Sequence, residues 1–263
     1  AWCDALVNAI AFHHTAGNLT EARRLCVSIG HSDEKFFEAL QYFGVCEAKR
    51  GNLEAARQLL TRALQVNAAA SECHLNLGSV LMELRRYDEA LRCFERALSL
   101  KVNYPEAVAN RGNALLALKR LDEALECYDR ALELRPAFAQ FHYNRGNALS
   151  DMKRHEEALA SFSRALEIMP KHIEALSNQG LVLHDLKRWD EAVECFDRAV
   201  MLAPEFAEGW SNRANSLFEL GRHDEAFASW EKALILRPHF PEANRLFGFA
   251  LYKLRRYPEA ISL

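Results

Sequence analysis

The sequence predicts an all-α fold, a solenoid of antiparallel helix hairpins stacked one on the next. Three observations carry that prediction. The first is a repeat of 34 residues, with units starting at 71, 105, 139, 173, 207 and 241. The second is that each unit reads as two amphipathic segments joined by a short polar turn. The third is that proline closes four of the units, at Pro136, Pro170, Pro204 and Pro238. One hairpin has a single apolar seam and too little surface to bury it alone, so repetition supplies the core.

The unit at 105–138 shows the pattern most clearly. From about Pro105 to Leu118, the residues Val108, Gly112, Leu115 and Leu118 recur at steps of three and four, which places them on one helical face. From about Asp122 to Leu134, Ala124, Tyr128 and Ala131 do the same, with Leu121 and Leu132 widening the stripe. Pro105 suits a first helical turn, and Pro136 cannot continue the second helix. Across units the small residue of the first helix aligns as Gly78, Gly112, Gly146, Gly180, Ala214 and Gly248. The second helix contributes an aromatic column, Phe94, Tyr128, Phe162, Phe196 and Trp230, between two columns of alanine. These offsets resemble the signature of the tetratricopeptide repeat (TPR) family, and the match covers nearly the whole chain. The resemblance implies a right-handed superhelix in which the first helix of each repeat lines a concave groove.

Taken in order, residues 3–36 read as a degenerate first repeat, in which Ile10 replaces the small residue and His13 an apolar one. Residues 37–70 are closer to the pattern through Gly44, Gly51, Ala56 and Ala63, although Ala68 stands where proline is expected. Full repeats follow at 71–104, 105–138, 139–172, 173–206 and 207–240, and 241–263 is an incomplete one. A start at Ala1 and an end part-way into a second helix suggest a processed form, a fragment or a cut through a longer array.

Composition narrows the function classes. Half of the residues are hydrophobic, 26% are charged and the formal net charge is −3, which argues against nucleic acid as the main partner. No apolar run is long enough to span a membrane, and AWCDALVNAI lacks the features of a signal peptide. Of the seven cysteines, Cys93, Cys127 and Cys195 share one repeat position. Equivalent residues on stacked hairpins lie roughly 10 Å apart, beyond the roughly 7 Å reach of a disulfide. Free thiols point to a reducing compartment, so a cytoplasmic location is expected. Catalytic and cofactor motifs are absent from the chain, and neither a metal nor a cofactor is expected.

Two charged patterns invite a functional reading. Each first helix ends in a basic pair, such as Arg85-Arg86, Lys119-Arg120, Lys153-Arg154 and Lys187-Arg188, with Gly221-Arg222 as the exception. Each second helix opens with acids, such as Asp88-Glu89 and Asp122-Glu123. Cations at helix C-termini and anions at N-termini account for both columns without any partner. Arg111, Arg145 and Arg213 stand where the family favours leucine. Their stems can pack between repeats while the guanidinium reaches a carboxylate at the edge, and the sharper alternative is an acidic partner.

The surface of the first helices remains. The sixth position of successive units reads Asn76, Asn110, Asn144, Asn178 and Asn212, and the ninth adds Asn113, Asn147 and Asn215. An asparagine amide offers donors and acceptors together, so it can bond both groups of an extended peptide backbone. The column resembles the asparagine ladder of O-linked N-acetylglucosamine transferases, which implies a grip on polypeptide main chain. Five rungs about 10 Å apart ask for an extended segment of about twelve residues. Selectivity then falls to variable groove positions such as His184 and Phe218.

Three function classes follow. The leading one is a non-catalytic scaffold that holds a protein or extended peptide. The second is the substrate-recognition array of a larger glycosyltransferase, and the third is a scaffold that self-associates through its terminal repeats.

Overall fold

The computed structural model describes residues 34–256. Most of the degenerate repeat expected at 3–36, and the second helix expected after residue 256, lie outside the described residues, as do Cys3 and Cys26. The chain divides into two compact units, one ending at Arg135 and the other beginning at Pro136.

Among the described residues there are thirteen helices. The first unit holds α1 (Glu34–Lys49), α2 (Leu53–Val66), α3 (Ser71–Glu83), α4 (Tyr87–Leu100), α5 (Pro105–Ala117) and α6 (Leu121–Leu134). The second holds α7 (Ala139–Asp151), α8 (His155–Ile168), α9 (Ile173–Asp185), α10 (Trp189–Leu202), α11 (Ala207–Glu219), α12 (His223–Leu236) and α13 (Pro241–Lys253). Successive helices pair as antiparallel hairpins, α1 with α2 through α11 with α12, and neighbouring hairpins pack within each unit. The odd-numbered helices, called A helices below, also touch their counterparts in the next hairpin of the same unit and share one face. The even-numbered ones are the B helices.

Each hairpin is built around one contact between the small column and the aromatic column. The position of a methyl group added to Gly78 falls 2.4 Å from the Phe94 ring, and at Gly112 the Tyr128 ring lies 2.8 Å away. The glycines therefore let a large ring lie directly on the A helix. Phe94, Tyr128, Phe162 and Phe196 are all fully buried there, and the flanking alanines Ala90, Ala97, Ala124 and Ala131 close the B-helix side. Close packing at this density leaves no room for a larger side chain at either alanine column.

The basic pairs prove to be turn residues. The backbone N–H of Arg85 bonds the carbonyl of Met82 and that of Arg86 bonds Leu81, two bonds that end the A helix in a left-handed cap. The first member of each pair adopts the left-handed conformation that the cap needs, with φ near 60° at Arg85, Lys119, Lys153, Lys187 and Arg255. Gly221 holds the same place with φ of 77°, as Gly51 does with φ of 81°, which explains the exception in the column. The second member reaches forward three residues onto a B-helix acid, as in Arg86–Glu89, Arg120–Glu123, Arg154–Glu157, Arg188–Glu191 and Arg222–Glu225. The Arg86 guanidinium accordingly holds the Glu89 carboxyl below the usual carboxylate range. These pairs are solvent-exposed, so their worth is small and geometric.

Candidate functional site

The A-helix face is where the sequence places a binding groove, and it can be built residue by residue within each unit. All eight predicted asparagines are half-buried. They do not stand as a row of equivalent free amides. In the first unit, Asn110 donates through Nδ2 to Ser79 Oγ of the preceding repeat at 3.4 Å. Asn113 donates to Asn110 Oδ1 at 3.4 Å and accepts from the Tyr128 hydroxyl at 2.8 Å. In the second unit, Asn178 donates to Asn147 Oδ1 of the preceding repeat at 2.8 Å and to the Tyr143 hydroxyl at 3.3 Å. Asn144 accepts from Gln140 at 2.9 Å.

Asn76 and Asn212 differ from these, because neither side chain has a hydrogen-bond partner among the described residues. Asn215 is a third case: its Oδ1 is buried and unpartnered. The column is thus part stitching between repeats and part unengaged amide. Sequence position alone could not single out Asn110 and Asn178 as stitches, because their partners sit 31 or more residues away in the neighbouring repeat.

His184 and Phe218, the predicted selectivity residues, are both half-buried. His184 Nδ1 lies 2.9 Å from Ser216 Oγ, which ties α9 to α11. Phe218 packs its ring against His223 at 5.0 Å and against Trp230 at 5.9 Å between centroids. Both line a cavity of about 160 Å³ with Asn215, Glu219, Trp230, Leu246 and Phe249. The first unit has a comparable cavity of about 200 Å³ on the A-helix side, lined by Asn76, Ser79, Val80, Glu83 and residues of the hairpin before it. Of the aromatic residues gathered near the last described helix, Phe247 is core, whereas Phe249 and Tyr252 are exposed.

The arginine column resolves in favour of packing. Arg213 pairs with Asp197 and donates to Ser229 Oγ at 2.6 Å. Arg145 donates to Ser161 Oγ at 2.8 Å, and Arg111 reaches Glu95 at 3.8 Å and the Cys127 thiol at 3.4 Å. Gln179 holds the same station and receives the Cys195 thiol at 3.4 Å. The cysteine column is therefore the B-helix end of a cross-hairpin contact that serine fills in alternate repeats. Sequence reading missed this link, whose only signal was the recurrence of a spacing of 16 residues between the two columns. Cys46, Cys73, Cys93, Cys127 and Cys195 are all free thiols. Burial pushes the Cys73 thiol up to about 12, and those of Cys93 and Cys195 to about 11.

Among the described residues no helix is long and apolar enough to cross a membrane, and no cluster of three potential metal ligands occurs.

Three repeat models match the chain. A TPR-repeat model covers residues 112–153, one tetratricopeptide-repeat model covers 137–205, and another matches both 71–104 and 207–240. Together they span more than half of the chain. No curated protein matches it. Among solved structures the chain is similar to YrrB, a TPR protein described as having an unusual peptide-binding site. The identity is 22% over 71% of this chain and 96% of that one, with a TM-score of 0.58. It is also similar to PilF of Pseudomonas aeruginosa, at 20% identity over 80% of this chain and 96% of that chain, with a TM-score of 0.70. A chain of the APC/C hetero-tetramer Cut9–Hcn1 superposes with a TM-score of 0.75 at 15% identity, over 92% of this chain and 48% of that one.

Proposed function

The chain belongs to the tetratricopeptide repeat family, and on that premise we propose that it is a non-catalytic scaffold whose A-helix face holds an extended stretch of another protein. The observation that carries the proposal is the pair of unengaged amides, Asn76 in one unit and Asn212 in the other. An amide left half-buried without a partner retains both a donor and an acceptor for a passing main chain. Asn76 also lines a cavity on that face, so a side chain beside the bonded peptide group would have somewhere to go. The likeness to YrrB agrees with this reading, although at 22% identity it speaks for the fold.

The asparagines already bonded across repeats play a different part. Asn110 and Asn178 fix the spacing of the face, and His184 and Phe218 shape the side-chain pocket. The finer likeness, to the substrate-recognition arrays of O-linked N-acetylglucosamine transferases, rests on the asparagine column. A catalytic domain encoded with this array would turn the same face from adaptor into substrate guide, which the complete reading frame decides.

The test is binding of a pool of unrelated extended peptides to the parent chain and to the Asn76→Ala, Asn212→Ala double variant. Each bidentate amide gives up to two hydrogen bonds at about 0.5–1.5 kcal/mol each, so binding at either unit should weaken about fivefold or more for all peptides alike. Helicity should not change, since neither amide holds the fold. Parent-like affinity in the double variant would show that the amides do not grip main chain.

A second partner class is another copy of this chain. It is favoured by Phe249 and Tyr252, exposed by 52% and 62% on α13. Light scattering across a hundredfold concentration range checks it, and a constant monomer mass rules it out.

A further inference from the structure

We propose that the cleft between α2 and α4, floored by α3, binds the phosphate group of an organic phosphate ester. The cleft shares no residue with the cavity at Asn76, and the proposal stands whether or not the A-helix face holds a peptide.

At two other steps of the array an arginine of the A helix fills the equivalent place. Arg111 reaches Glu95 on the B helix before it at 3.8 Å and the Cys127 thiol on the B helix after it at 3.4 Å. Arg213 does the same between Asp197 and Ser229. At the step into α3 the three stations hold Thr61, Leu77 and Cys93, so the acid and the arginine are both missing. The station that the buried Leu91 and Val193 occupy at those other steps is taken here by Arg57. Arginine and leucine have changed places. The result is a cavity of about 390 Å³ lined by Thr61, Leu77 and Cys93 together with Arg57, Arg92 and Arg96.

Its lining carries charge that the chain leaves unanswered. Arg57 is engaged by Glu54 through its Nε–H, at 3.0 and 3.1 Å to the two carboxylate oxygens. Glu89, the one acid on the lining, is held by Arg86 at 2.6 and 2.8 Å. His74 donates to the carbonyl of Ala68 at 3.1 Å. Arg92 makes no hydrogen bond or ion pair among the described residues, and Arg96 reaches only Ser99 Oγ, at 3.4 Å. With the paired groups set aside, two guanidiniums and no carboxylate remain. They stand four residues apart on α4, on one helical face, where like charges repel. The same two positions hold Glu126 and Arg130 in α6 and Glu194 and Arg198 in α10. Among the described B helices only α4 sets two cations there.

An anion between Arg92 and Arg96 turns that repulsion into attraction. A phosphate monoester carries a charge of about −1.5 to −2 near neutral pH and three acceptor oxygens, enough for both guanidiniums, whereas a carboxylate balances one. Arginine also matches phosphate geometry with paired N–H donors. The cavity is larger than a phosphate group needs and falls within the roughly 300–1,000 Å³ of small-molecule sites. Leu77 and Leu81 give one side of it an apolar character suited to the organic part of an ester.

The test titrates the whole chain with phenyl phosphate and with benzoate, in a low-salt buffer free of phosphate, by calorimetry. Phenyl phosphate should bind at least tenfold more tightly than benzoate. Arg92→Gln and Arg96→Gln should each weaken it about tenfold, the loss expected of one charge-assisted hydrogen bond, and should leave helicity unchanged. The Thr61→Glu, Leu77→Arg double variant rebuilds the Glu95–Arg111 arrangement in the cleft and should abolish binding. Absence of binding, equal affinity for benzoate, or affinity that survives both glutamine variants overturns the proposal.

Competition then identifies the source of the ester. A phosphoserine peptide that displaces phenyl phosphate, where its unphosphorylated form does not, places the group on a partner protein. Displacement by glycerol phosphate alone assigns it to a small metabolite. If neither displaces the probe, phenyl phosphate is held by its ring and the phosphate site is refuted.

Discussion

Asn178 and Asn212 occupy the same repeat position and are chemically identical, yet they should respond differently to loss. Asn178 spans two repeats through Asn147 and Tyr143, so Asn178→Ala strands an acceptor and a hydroxyl and should cost about 1–3 kcal/mol in thermal or urea denaturation. Asn212 holds nothing among the described residues, and Asn212→Ala should leave the midpoint within about 0.5 kcal/mol of the parent. Equal costs would mean that the assignment of stitching and unengaged amides is wrong. The recurrence of asparagine was plain in the sequence, but its division of labour was not. That depends on which residue the preceding hairpin supplies, Asn147 for Asn178 and, at the equivalent step before Asn212, Leu181. The thiols give a second residue-scale outcome. With Cys93 and Cys195 near 11 and Cys73 near 12, native thiolate is scarce at pH 8, and alkylation should be slow until the chain is denatured. The sign for stability follows from linkage. A thiol with a pKa of roughly 8.5 in the unfolded chain ionises there first, so stability should fall as pH rises from about 8.5 towards 11.

At the scale of elements, the turn between A and B helices carries the clearest prediction. Lys119 and Lys153 hold φ of 60°, a conformation that costs a residue with a Cβ about 1 kcal/mol. Lys119→Gly and Lys153→Gly should therefore raise stability by several tenths to about 1 kcal/mol, and Gly221→Ala should lower it by a similar amount. A loss on lysine-to-glycine exchange would show that the side chains at these turns do more than cap a helix. The helix pairs test the packing register. Ala131 and Ala165 are fully buried, so Ala131→Leu or Ala165→Leu should overpack the hairpin and cost about 1–3 kcal/mol, read as a lower denaturation midpoint. Helix limits were legible almost to the residue. The expected Pro105–Leu118 segment is Pro105–Ala117, and the expected start at Asp122 is Leu121, because proline and the capping turn mark the ends chemically. The basic pairs were legible as charge but not as backbone. The exception at Gly221 held the clue, since only a left-handed turn makes lysine and glycine alternatives.

For the molecule as a whole, the repeat makes stability a sum of hairpins and the contacts between neighbours. The cluster around Trp230, Phe227, Phe247 and Phe240 shows how local each share is, drawing on α10 through α13. Phe162→Ala should cost about 3–5 kcal/mol at its own hairpin. Hydrogen exchange should then quicken in α7, α8 and their neighbours α9 and α10, and stay near parent rates in α11 and α12. Uniform quickening across the second unit would indicate one cooperative block instead of an array. The fold class was legible because it is written several times over, and each repeat corrects a reading of the others. The site was legible only as a face. Which of its asparagines bond across repeats, as Asn178 does to Asn147, shows only when the hairpins are brought side by side.

The left-handed turns have one more consequence. They place lysine or arginine at the ends of successive A helices, so trypsin meets potential cleavage sites spaced by one repeat of 34 residues. Each of these turns is held by two backbone hydrogen bonds and cannot extend into a protease cleft until its hairpin opens. Cutting at Lys119, Lys153 or Lys187 then measures the opening of that hairpin, so that a brief digestion writes the array's local stabilities as a ladder of fragment lengths, and a peptide bound along one stretch erases the rungs beneath it.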